Sequence, residues 1–382
     1  MSKRFSIYIH WPYCLSKCPY CDFNSHIHKG PINQKKYLEL IKVEMAYYKD
    51  LMRGKEVQSI FFGGGTPSLM NPSIINQLLD TIHKNFSVEM NAEISLEANP
   101  TSIESKKFRE YSRSGINRVS VGVQSLNDND LKNLGRNHDA KEAIKAVNIA
   151  NENFSSVSID LIYCRPDQTA QEWELELQKA INLKSQHVSL YQLTIEPNTV
   201  YKKLHETGKL QLPNNKTAAT LYNLTTQICK ENNLIRYEIS NYAKEGHESK
   251  HNLNYWTGGE WIGFGPGSHG RLEDKSQNRY AIVNEYDPKK WENLIVLKGS
   301  PIIKNERLTE TEVRDEYLIM AMRTKYGLDL DYYKKFGGVI NQDKAYTLET
   351  KQFIRKSSDG KTIVMTDSGF MICDFIVSEL SQ

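Results

Sequence analysis

The sequence predicts an α/β fold: an open, partial (β/α)6 barrel followed by a smaller, mostly helical domain with a hairpin wing. Six short apolar runs alternate with longer amphipathic stretches in the first half, which indicates parallel strands joined by right-handed helical crossovers. Six units are fewer than the eight of a closed barrel. A doubly wound open sheet is the alternative, and in both folds the polar site lies at the carboxyl ends of the strands.

The elements of the barrel follow from this alternation. Strands are predicted where β-branched and aromatic residues cluster, at residues 5–10, 57–62, 93–98, 118–123, 157–163 and 187–195. Helices are predicted where apolar residues recur every three to four positions, at residues 34–51, 72–86, 103–114, 141–151 and 171–183. A further helix up to residue 232 and a strand at residues 234–239 follow Pro213.

The second half of the chain has a different texture. Residues 241–285 are rich in Gly, Asn, His and aromatic residues, which predicts an irregular, functional segment. Thr309 and Glu312 form the capping-box pattern of a helix start, and a strand at 362–365 and a helix at 369–380 follow. We therefore expect three parts: a barrel core at 1–233, an irregular site segment at 234–300 and a small C-terminal domain at 301–382.

Composition excludes several classes of protein. With 49 Lys and Arg against 46 Asp and Glu, the formal net charge of +3 is too small for nucleic-acid binding through bulk charge. No run approaches the roughly 18 apolar residues of a membrane helix, and the N-terminus enters a strand without a signal peptide. Three of the six cysteines crowd into eight positions, which favours a cytoplasmic protein with metal-bound thiolates over one with disulfides.

A cysteine motif follows the first predicted strand. Cys14, Cys18 and Cys21 have the spacing C-x3-C-x2-C, and three thiolates this close can bind three irons of a four-iron, four-sulfur cluster. The fourth iron is then open to another ligand. The alternative is a zinc site completed by a nearby histidine, one of His10, His26 and His28. Zinc sites usually combine two separated cysteine pairs, and the sequence has no second pair, so the spacing favours the cluster.

The stretch from Tyr8 to Cys21, YIHWPYCLSKCPYC, resembles a known signature. It is similar to the cysteine motif of the radical S-adenosylmethionine (SAM) superfamily and, more narrowly, of the oxygen-independent coproporphyrinogen III oxidase group. The resemblance implies a cluster on Cys14, Cys18 and Cys21, with the amino and carboxylate groups of SAM on the open iron. It also implies that an electron from the cluster cleaves a sulfonium bond of SAM and releases a 5′-deoxyadenosyl radical.

Further motifs match SAM-binding positions of that superfamily. The run FFGGGTP ends the second strand, and the resemblance assigns the methionine amino group of SAM to it, at Gly63, Gly64, Gly65 and Thr66. By itself this run predicts only a tight strand-to-helix turn. Glu97 ends the third strand and is implied to contact SAM, although alternation alone predicts that it faces solvent. The other implied contacts are Tyr8, Tyr20, Gln124, Arg136 and Asp160.

One stretch departs from the pattern of the group. After the fifth strand the group has Gly-Leu-Pro followed by Gln-Thr, whereas this chain has Cys164, Arg165 and Pro166 before Gln168 and Thr169. Cys164 adds a side chain where room for the backbone is expected. Either the turn relaxes or the site is narrowed.

Three features separate the oxidases of the group from its HemW-type haem chaperones. The oxidases have a fourth cysteine soon after the third, whereas here Asp22 follows Cys21. The oxidases also carry an extension before the first strand, and this chain begins almost at the strand. Finally, the sequence HNLNYW at residues 251–256 matches the H-N-x-x-Y-W motif of HemW proteins. The resemblance is therefore to the HemW branch.

This motif suits haem chemically. A neutral imidazole is a good axial ligand for haem iron, so His251 is the expected ligand, Asn252 can orient the ring, and Tyr255 and Trp256 offer flat faces to a porphyrin. On the motif alone, a loop with buried aromatic residues and a hydrogen-bonded histidine is the simpler interpretation. The other two features favour the haem site.

Three functions remain in competition. The first is a haem chaperone that binds haem and delivers it to respiratory haem proteins, with the cluster and SAM as control elements and no residue assigned to catalysis. The second is an oxygen-independent coproporphyrinogen III dehydrogenase, and the third is a radical SAM enzyme with another substrate. Expected partners are haem, apo haem proteins of respiration and an electron donor to the cluster. Peripheral membrane association and a homodimer are compatible with this interpretation, and nucleic acid is not expected.

Overall fold

Over residues 3–381, described by a computed structural model, the chain forms strands β1 to β17 and helices α1 to α16. The strands are Lys3–Trp11, Tyr13–Cys14, His26–Ile27, Lys55–Gly64, Ser87–Ala98, Arg118–Gln124, Ser156–Tyr163, His187–Gln192, Ile235–Glu238, Asn241–Ala243, Glu260–Phe264, His269–Glu273, Arg279–Asn284, Ile302–Arg307, Leu328–Asp329, Ile354–Lys356 and Thr362–Met365. The helices are Gln34–Tyr48, Pro72–Asn85, Ser102–Ser105, Phe108–Arg113, Asp128–Asn133, Ala140–Asn153, Ala170–Ile181, Val200–Glu206, Asn215–Glu231, Lys250–Trp256, Pro288–Lys298, Glu310–Met322, Leu330–Lys335, Gln342–Thr350, Asp367–Phe370 and Cys373–Leu380.

Twelve strands form one sheet in the order β14-β13-β12-β11-β1-β4-β5-β6-β7-β8-β10-β9. Within it, β1 and β4 to β8 are parallel and adjacent in chain order. Because this order never reverses, these six strands wind in one direction as in a barrel, and the doubly wound alternative is wrong. β14 and β9 lie at the two edges of the sheet, so the barrel is open. The predicted partial (β/α)6 barrel is confirmed.

The inner face of the barrel is polar because residue types alternate along the strands. In β1, Phe5 and Ile7 are buried in the hydrophobic core, whereas Tyr8 and His10 point into the interior. The same alternation in β5 places Glu97 inside the barrel. The expectation from alternation alone, that Glu97 faces solvent, is therefore wrong, because the curved sheet encloses the polar side of the strand.

The outer helices begin and end as their sequences dictate. Asn71 caps α2, with Pro72 at its first position, and the buried Ile75, Leu78 and Ile82 lie on the face that packs against the sheet. Burial of each such side chain contributes roughly 1.5–3 kcal/mol. The helix predicted at residues 103–114 is instead two short helices, α3 and α4.

Residues 241–285, predicted to be irregular, contribute regular elements to the same sheet. They form β10, α10, β11, β12 and β13, and β11 pairs in parallel with β1. These strands are short and are separated by turns at Gly258, Gly265 and Gly267, all with positive φ, so the sequence pattern does not reveal them.

From residue 309 onwards the chain forms a mainly helical unit. The capping box of Thr309 and Glu312 at the start of α12 is confirmed, and so is the strand at Thr362–Met365. β17 pairs with β15 and β16 in a small antiparallel sheet. The division of the chain at residues 233 and 300 stays a prediction.

Candidate functional site

A polar cavity of about 180 Å³ lies inside the barrel. Its walls come from inward-facing residues of six strands and from α10. Several predicted SAM and haem residues share this one cavity: Tyr8, Glu97, Asp160, His251, Asn252 and Tyr255. Residues that the sequence did not single out also line it: Phe61, Ser95, Arg118, Ser120, His187, Ser189, Tyr191 and Ser249.

The carboxyl groups of Glu97 and Asp160 lie close enough in the cavity for their charges to repel each other. Glu97 accepts a hydrogen bond from the backbone N–H of Gly64 at 3.1 Å, and Asp160 accepts hydrogen bonds from Ser120 at 2.8 Å and Ser158 at 3.0 Å. Burial, and then repulsion by Asp160, raise the pKa of Glu97 to about 8. Burial also raises the pKa of Asp160. Arg118 also lines the cavity, and its charge favours the ionised form of Asp160. A cationic ligand would favour the ionised form of both carboxyl groups in the same way.

Helix α10 is fixed to the barrel by Glu93. The carboxylate of Glu93 accepts hydrogen bonds from the backbone N–H groups of Lys250 at 3.0 Å and His251 at 3.1 Å, and from the Ser249 hydroxyl at 3.3 Å. Arg118 lies 4.0 Å from the same carboxylate. Glu93 therefore caps the helix that carries the H-N-x-x-Y-W motif, a role that its position in a strand gave no reason to expect.

His251 is enclosed on every side. Its Nδ1 lies 3.0 Å from the Ser59 hydroxyl and its Nε2 lies 2.6 Å from the Tyr255 hydroxyl. Its ring stacks on Phe61 at 4.9 Å between centroids, and only 1% of the residue is exposed. Burial lowers the pKa of His251 to about 3, so the imidazole is neutral at physiological pH.

Trp256 points away from the cavity. Its ring lies under the guanidinium of Arg323, 4.8 Å from the ring centroid, and Arg323 is in turn paired with Glu238 at 3.3 Å. The indole N–H of Trp256 is buried without a hydrogen-bond partner among residues 3–381. The four motif residues are therefore divided: three line the cavity and the fourth packs towards the C-terminal unit.

The three cysteines lie half-buried in a loop between β1 and α1. Thr66 donates to the sulfur of Cys14 at 3.4 Å and Arg136 to that of Cys18 at 3.5 Å, and the Ser25 hydroxyl, which can donate, lies 3.9 Å from the sulfur of Cys21. Such donors stabilise thiolates and tune metal clusters held by them.

The glycines at the end of β4 pack closely against the loop that carries the cysteines. A Cβ on Gly65 would lie 2.7 Å from the carbonyl oxygen of Tyr13 and 3.0 Å from the sulfur of Cys14. A Cβ on Gly64 would lie 2.7 Å from the ring of His10. The absence of side chains at this position therefore lets the cysteine loop lie directly on the end of β4.

None of the six cysteines forms a disulfide. Among residues 3–381, no three His, Cys, Asp or Glu side chains are placed so that they could hold one metal ion. A zinc ion takes all its sulfur ligands at about 2.3 Å, whereas an iron–sulfur cluster takes each thiolate on a different iron. The assignment of Cys14, Cys18 and Cys21 to a cluster stays a prediction.

The remaining predicted SAM residues lie near Cys18 rather than in the cavity. Arg136 donates to the sulfur of Cys18, to the Asn99 side chain at 2.6 Å and to the carbonyl oxygen of Gly122 at 3.0 Å. Tyr20 is next to Arg136 and Cys18, and burial raises its pKa. Gln124 ends β6 with φ of 66°, beside Gly122. The site thus has an outer part at the cysteines and an inner part at the cavity.

His10 and Asn24 join the two parts. Nε2 of His10 lies 2.9 Å from the carbonyl oxygen of Asn24, and its Nδ1 lies 3.0 Å from the Tyr8 hydroxyl in the cavity wall. The Asn24 amide donates to the carbonyl oxygens of Pro266 and Tyr286, both at 3.0 Å. In the sequence, only the spacing of two residues between Tyr8 and His10 in β1 indicated that their side chains lie on the same side of the strand.

Cys164 stands where the group has glycine, and its backbone adopts the conformation that glycine would adopt. Its φ of 56° is left-handed, which glycine adopts without strain, so the turn keeps the glycine geometry. The side chain packs in the hydrophobic core, and burial raises the pKa of the thiol to about 12. Arg165 is buried between Asp130 at 3.0 Å and Glu176 at 2.5 Å. The cavity is therefore not narrowed by this substitution.

Comparison with known proteins identifies the family. The family model that describes the sequences of the radical SAM superfamily matches residues 8–180 of this chain. The chain is 42% identical over 272 residues to the heme chaperone HemW of Haemophilus influenzae and 40% identical over 268 residues to that of Escherichia coli, covering 70% of each chain in both cases. The chain belongs to the HemW group of the radical SAM superfamily.

Two other similarities concern a mitochondrial relative and a solved structure. The chain is 33% identical over 368 residues to the mitochondrial radical S-adenosyl methionine domain-containing protein 1 of Danio rerio, covering 95% of this chain and 82% of the relative. The coproporphyrinogen III oxidase HemN of Escherichia coli has the same fold, with a TM-score of 0.83 at 21% identity over all of this chain and 91% of that one. At this identity, the likeness to HemN shows the fold alone.

Membership of the superfamily implies a four-iron, four-sulfur cluster and bound SAM. When bound, these groups supply one-electron cleavage of SAM to an adenosyl radical. The thiols with their donors and the acidic cavity fit both groups. No helix in residues 3–381 of this HemW-group protein has the length and apolar character needed to cross a bilayer.

Proposed function

We propose that this HemW-group protein is a haem chaperone, which binds haem and delivers it to respiratory haem proteins. The observation that carries this proposal is the sequence identity of 40–42% to HemW proteins, together with the position of His251, Asn252 and Tyr255 of the H-N-x-x-Y-W motif on the wall of the barrel cavity. We assign the cluster to Cys14, Cys18 and Cys21. We assign SAM contacts to the positions that the superfamily resemblance implies: Tyr8, Tyr20, Gly63, Gly64, Gly65, Thr66, Glu97, Gln124, Arg136 and Asp160.

Haem ligation by His251 requires a rearrangement of α10. Both ring nitrogens of His251 already have partners, and the cavity of about 180 Å³ is smaller than the roughly 300–1,000 Å³ of pockets for drug-sized ligands. A porphyrin is larger than such ligands. We therefore propose that haem binds when α10 moves outward from the barrel, taking His251, Asn252 and Tyr255 with it.

The movement would break a defined set of contacts. The helix has only seven residues, its start is held by Glu93 and by the Tyr237 hydroxyl, and Asn254 in its middle accepts a hydrogen bond from Gln58 at 2.7 Å. Its end is held through Trp256 and Arg323. Trp256 would then present its flat face to haem after leaving Arg323, as the motif suggests.

The partners follow from the function. The clients would be apo haem proteins of respiration, and the cluster would receive an electron from a separate donor. A cytoplasmic location, or a mitochondrial one as in the relative from Danio rerio, is equally compatible with the haem proposal. The cluster and SAM would control haem transfer or assembly of the protein.

Haem titration of the anaerobically reconstituted protein tests the proposal. Addition of haem should produce a Soret band with one haem per chain, and the His251→Ala variant should lose its axial-ligand spectrum. His247→Ala is the matched control, because His247 lies four residues earlier and outside the cavity walls. A wild-type Soret spectrum in His251→Ala would remove His251 from the proposal, and absence of any haem binding would refute the function.

The enzymatic alternative is tested in parallel. The reconstituted protein is incubated with coproporphyrinogen III, SAM and a reductant, and the porphyrins are separated after oxidation. A haem chaperone leaves the coproporphyrin unchanged. Formation of protoporphyrin in a SAM-dependent manner would instead identify an oxidative decarboxylase.

A further inference from the structure

The loop that carries the cysteines presents large apolar side chains to solvent. Leu15 is 66% exposed, Phe23 is 60% exposed and Ile27 is 56% exposed. Leu15 directly follows Cys14, and Phe23 comes two residues after Cys21. We call the surface formed by Leu15, Phe23 and Ile27 the cysteine-loop face. Exposed apolar clusters of this kind mark binding surfaces.

The cysteine-loop face is held in shape by backbone pairing. The short strands β2 and β3 pair in parallel, with Tyr13 opposite His26 and Cys14 opposite Ile27, and Leu15 directly follows this pairing. The ammonium group of Lys17 donates to the carbonyl oxygens of Phe23 at 3.5 Å and Ser25 at 3.4 Å, which closes the loop around the cysteines. A partner can therefore dock on a formed surface rather than on a loose segment.

The surroundings of this face are basic. Lys17 and Lys29 lie in the loop, and Lys289 and Lys290 lie at the start of α11, next to Tyr286, which accepts a hydrogen bond from Asn24. None of these four exposed lysines forms an ion pair with another residue of the range 3–381.

Two acidic residues lie among these lysines. Asp22 is exposed, whereas Asp287 is occupied with capping α11. The face therefore combines an apolar centre with a surplus of unpaired positive charge, and an acidic surface complements it.

We propose that the cysteine-loop face is the docking surface for a small, acidic one-electron carrier protein. This inference rests on the proposed assignment of the cluster to Cys14, Cys18 and Cys21. A partner seated on Leu15 and Phe23 lies close to the cluster ligands along the chain, because Leu15 is adjacent to Cys14 and only Asp22 separates Phe23 from Cys21. One electron passes from the reduced carrier to the oxidised cluster, so the carrier loses one electron, the cluster gains it, and no bond is made or broken.

The size and charge of the face favour a transient contact. Electron-transfer complexes commonly bury less than about 1,200 Å² and depend on electrostatic steering. Three exposed apolar side chains in the cysteine loop, with unpaired lysines in the same loop and at the start of α11, match that pattern. An anionic membrane surface would also be attracted to lysines, and it is therefore a separate arm of the test.

The rate of cluster reduction provides the main measurement. The reconstituted protein is mixed with reduced flavodoxin, an acidic one-electron carrier, and bleaching of the cluster absorbance is followed. Reversal of two charges, Lys17→Glu with Lys29→Glu, should lower the second-order rate at least tenfold at low ionic strength, and salt should reduce the difference. Lys351→Glu with Lys356→Glu, which makes the same charge change in the C-terminal unit, should leave the rate within twofold of wild type.

The apolar centre is tested separately. Phe23→Ser should weaken binding of oxidised flavodoxin to the reconstituted protein with its cluster oxidised, measured by calorimetry, at least fivefold. Phe375→Ser is the control, because Phe375 is a comparably exposed phenylalanine, at 55%, in α16. Vesicles containing anionic lipid are the alternative partner. If flavodoxin rates and affinities are unchanged by the Lys17, Lys29 and Phe23 variants, or if these variants abolish only vesicle binding, the inference is overturned.

Failure of the inference and failure of the underlying assignment give different results. Photoreduction with deazaflavin, which needs no protein partner, reports whether a reducible cluster is present in each variant. If wild-type protein forms no cluster absorbance, the assignment of Cys14, Cys18 and Cys21 fails. If every variant is reduced normally by deazaflavin and equally fast by flavodoxin, only the docking surface is wrong.

Discussion

Nε2 of His251 lies 2.6 Å from the hydroxyl of Tyr255, one helical turn further along α10. The hydrogen-bond network assigns the tautomer of this histidine. The Ser59 hydroxyl donates to Ser6 at 2.7 Å, so it accepts a hydrogen bond from the Nδ1–H of His251. Nε2 therefore carries the lone pair, and the Tyr255 hydroxyl donates to it. The nitrogen that can bind iron is thus covered by a donor from its own motif.

Removal of this donor should favour haem. Tyr255→Phe leaves Nε2 of His251 buried without a partner in the haem-free protein, a loss of about 0.5–1.5 kcal/mol that iron ligation would remove. We expect haem affinity to rise about two- to tenfold. Soret titration at fixed ionic strength measures the change.

The control for this prediction is Tyr346→Phe, since Tyr346 is 72% exposed on α14 and remote from the motif. Haem affinity should be unchanged in that variant. Weaker binding by Tyr255→Phe would mean that the hydroxyl contacts haem or its ligand rather than competing with iron.

Substitution of Glu93 should destabilise the start of α10 and thereby change haem binding. In Glu93→Gln the amide nitrogen replaces one of the oxygens that accept from Lys250, His251 and Ser249, so at least one backbone donor loses its partner. We expect a loss of about 1–2 kcal/mol in the free energy of unfolding and a change in the haem spectrum. Urea denaturation and Soret spectroscopy measure these effects.

Glu39→Gln serves as the comparison for Glu93→Gln, because Glu39 is an exposed residue of α1 whose ion pair within residues 3–381 is with the neighbouring Lys42. That variant should lie within about 0.5 kcal/mol of wild type. Equal stability of the two variants would contradict the capping role of Glu93.

The barrel could be predicted because its physical signal is local. Each parallel strand carries an apolar outer side, and each following helix has a polar start and an apolar face, as Asn71 and Thr169 illustrate with their caps. The strands of residues 241–285 could not be predicted, because they are only three to six residues long and their pairing partners, such as β1 for β11, are distant in sequence.

The sequence indicated which ligands the candidate residues suit, but it did not indicate which of these residues lie together in space. The cysteine spacing and the H-N-x-x-Y-W motif each indicate a ligand, yet sequence does not reveal that His251 and Asp160 line one cavity. Nor does the sequence show that Trp256 points away from that cavity and packs against Arg323. Glu93 gave no signal, because the contact that defines its role joins residues 158 positions apart.

The cysteine assignment makes a quantitative prediction about iron. Wild-type protein reconstituted anaerobically should hold about four irons per chain, as a four-iron cluster requires. Cys18→Ala should lose more than half of that iron, whereas Cys229→Ala should retain it, because Cys229 is buried in α9 away from the loop. Metal analysis measures both iron and zinc. Full iron content in Cys18→Ala would contradict the assignment, and stoichiometric zinc would revive the alternative.

Glu44 should make the stability of the protein fall as pH rises. Its carboxyl group accepts from the backbone N–H of Gly265 at 2.8 Å and from the Trp291 indole, and burial raises its pKa to about 8 from 4.5. Between these values the folded state keeps a proton that the unfolded state releases, so the free energy of unfolding decreases by up to about 1.4 kcal/mol per pH unit. Denaturation of the reduced, cluster-free protein at pH 5, 6, 7 and 8 should show a smaller decrease for Glu44→Gln, and identical slopes would contradict this role.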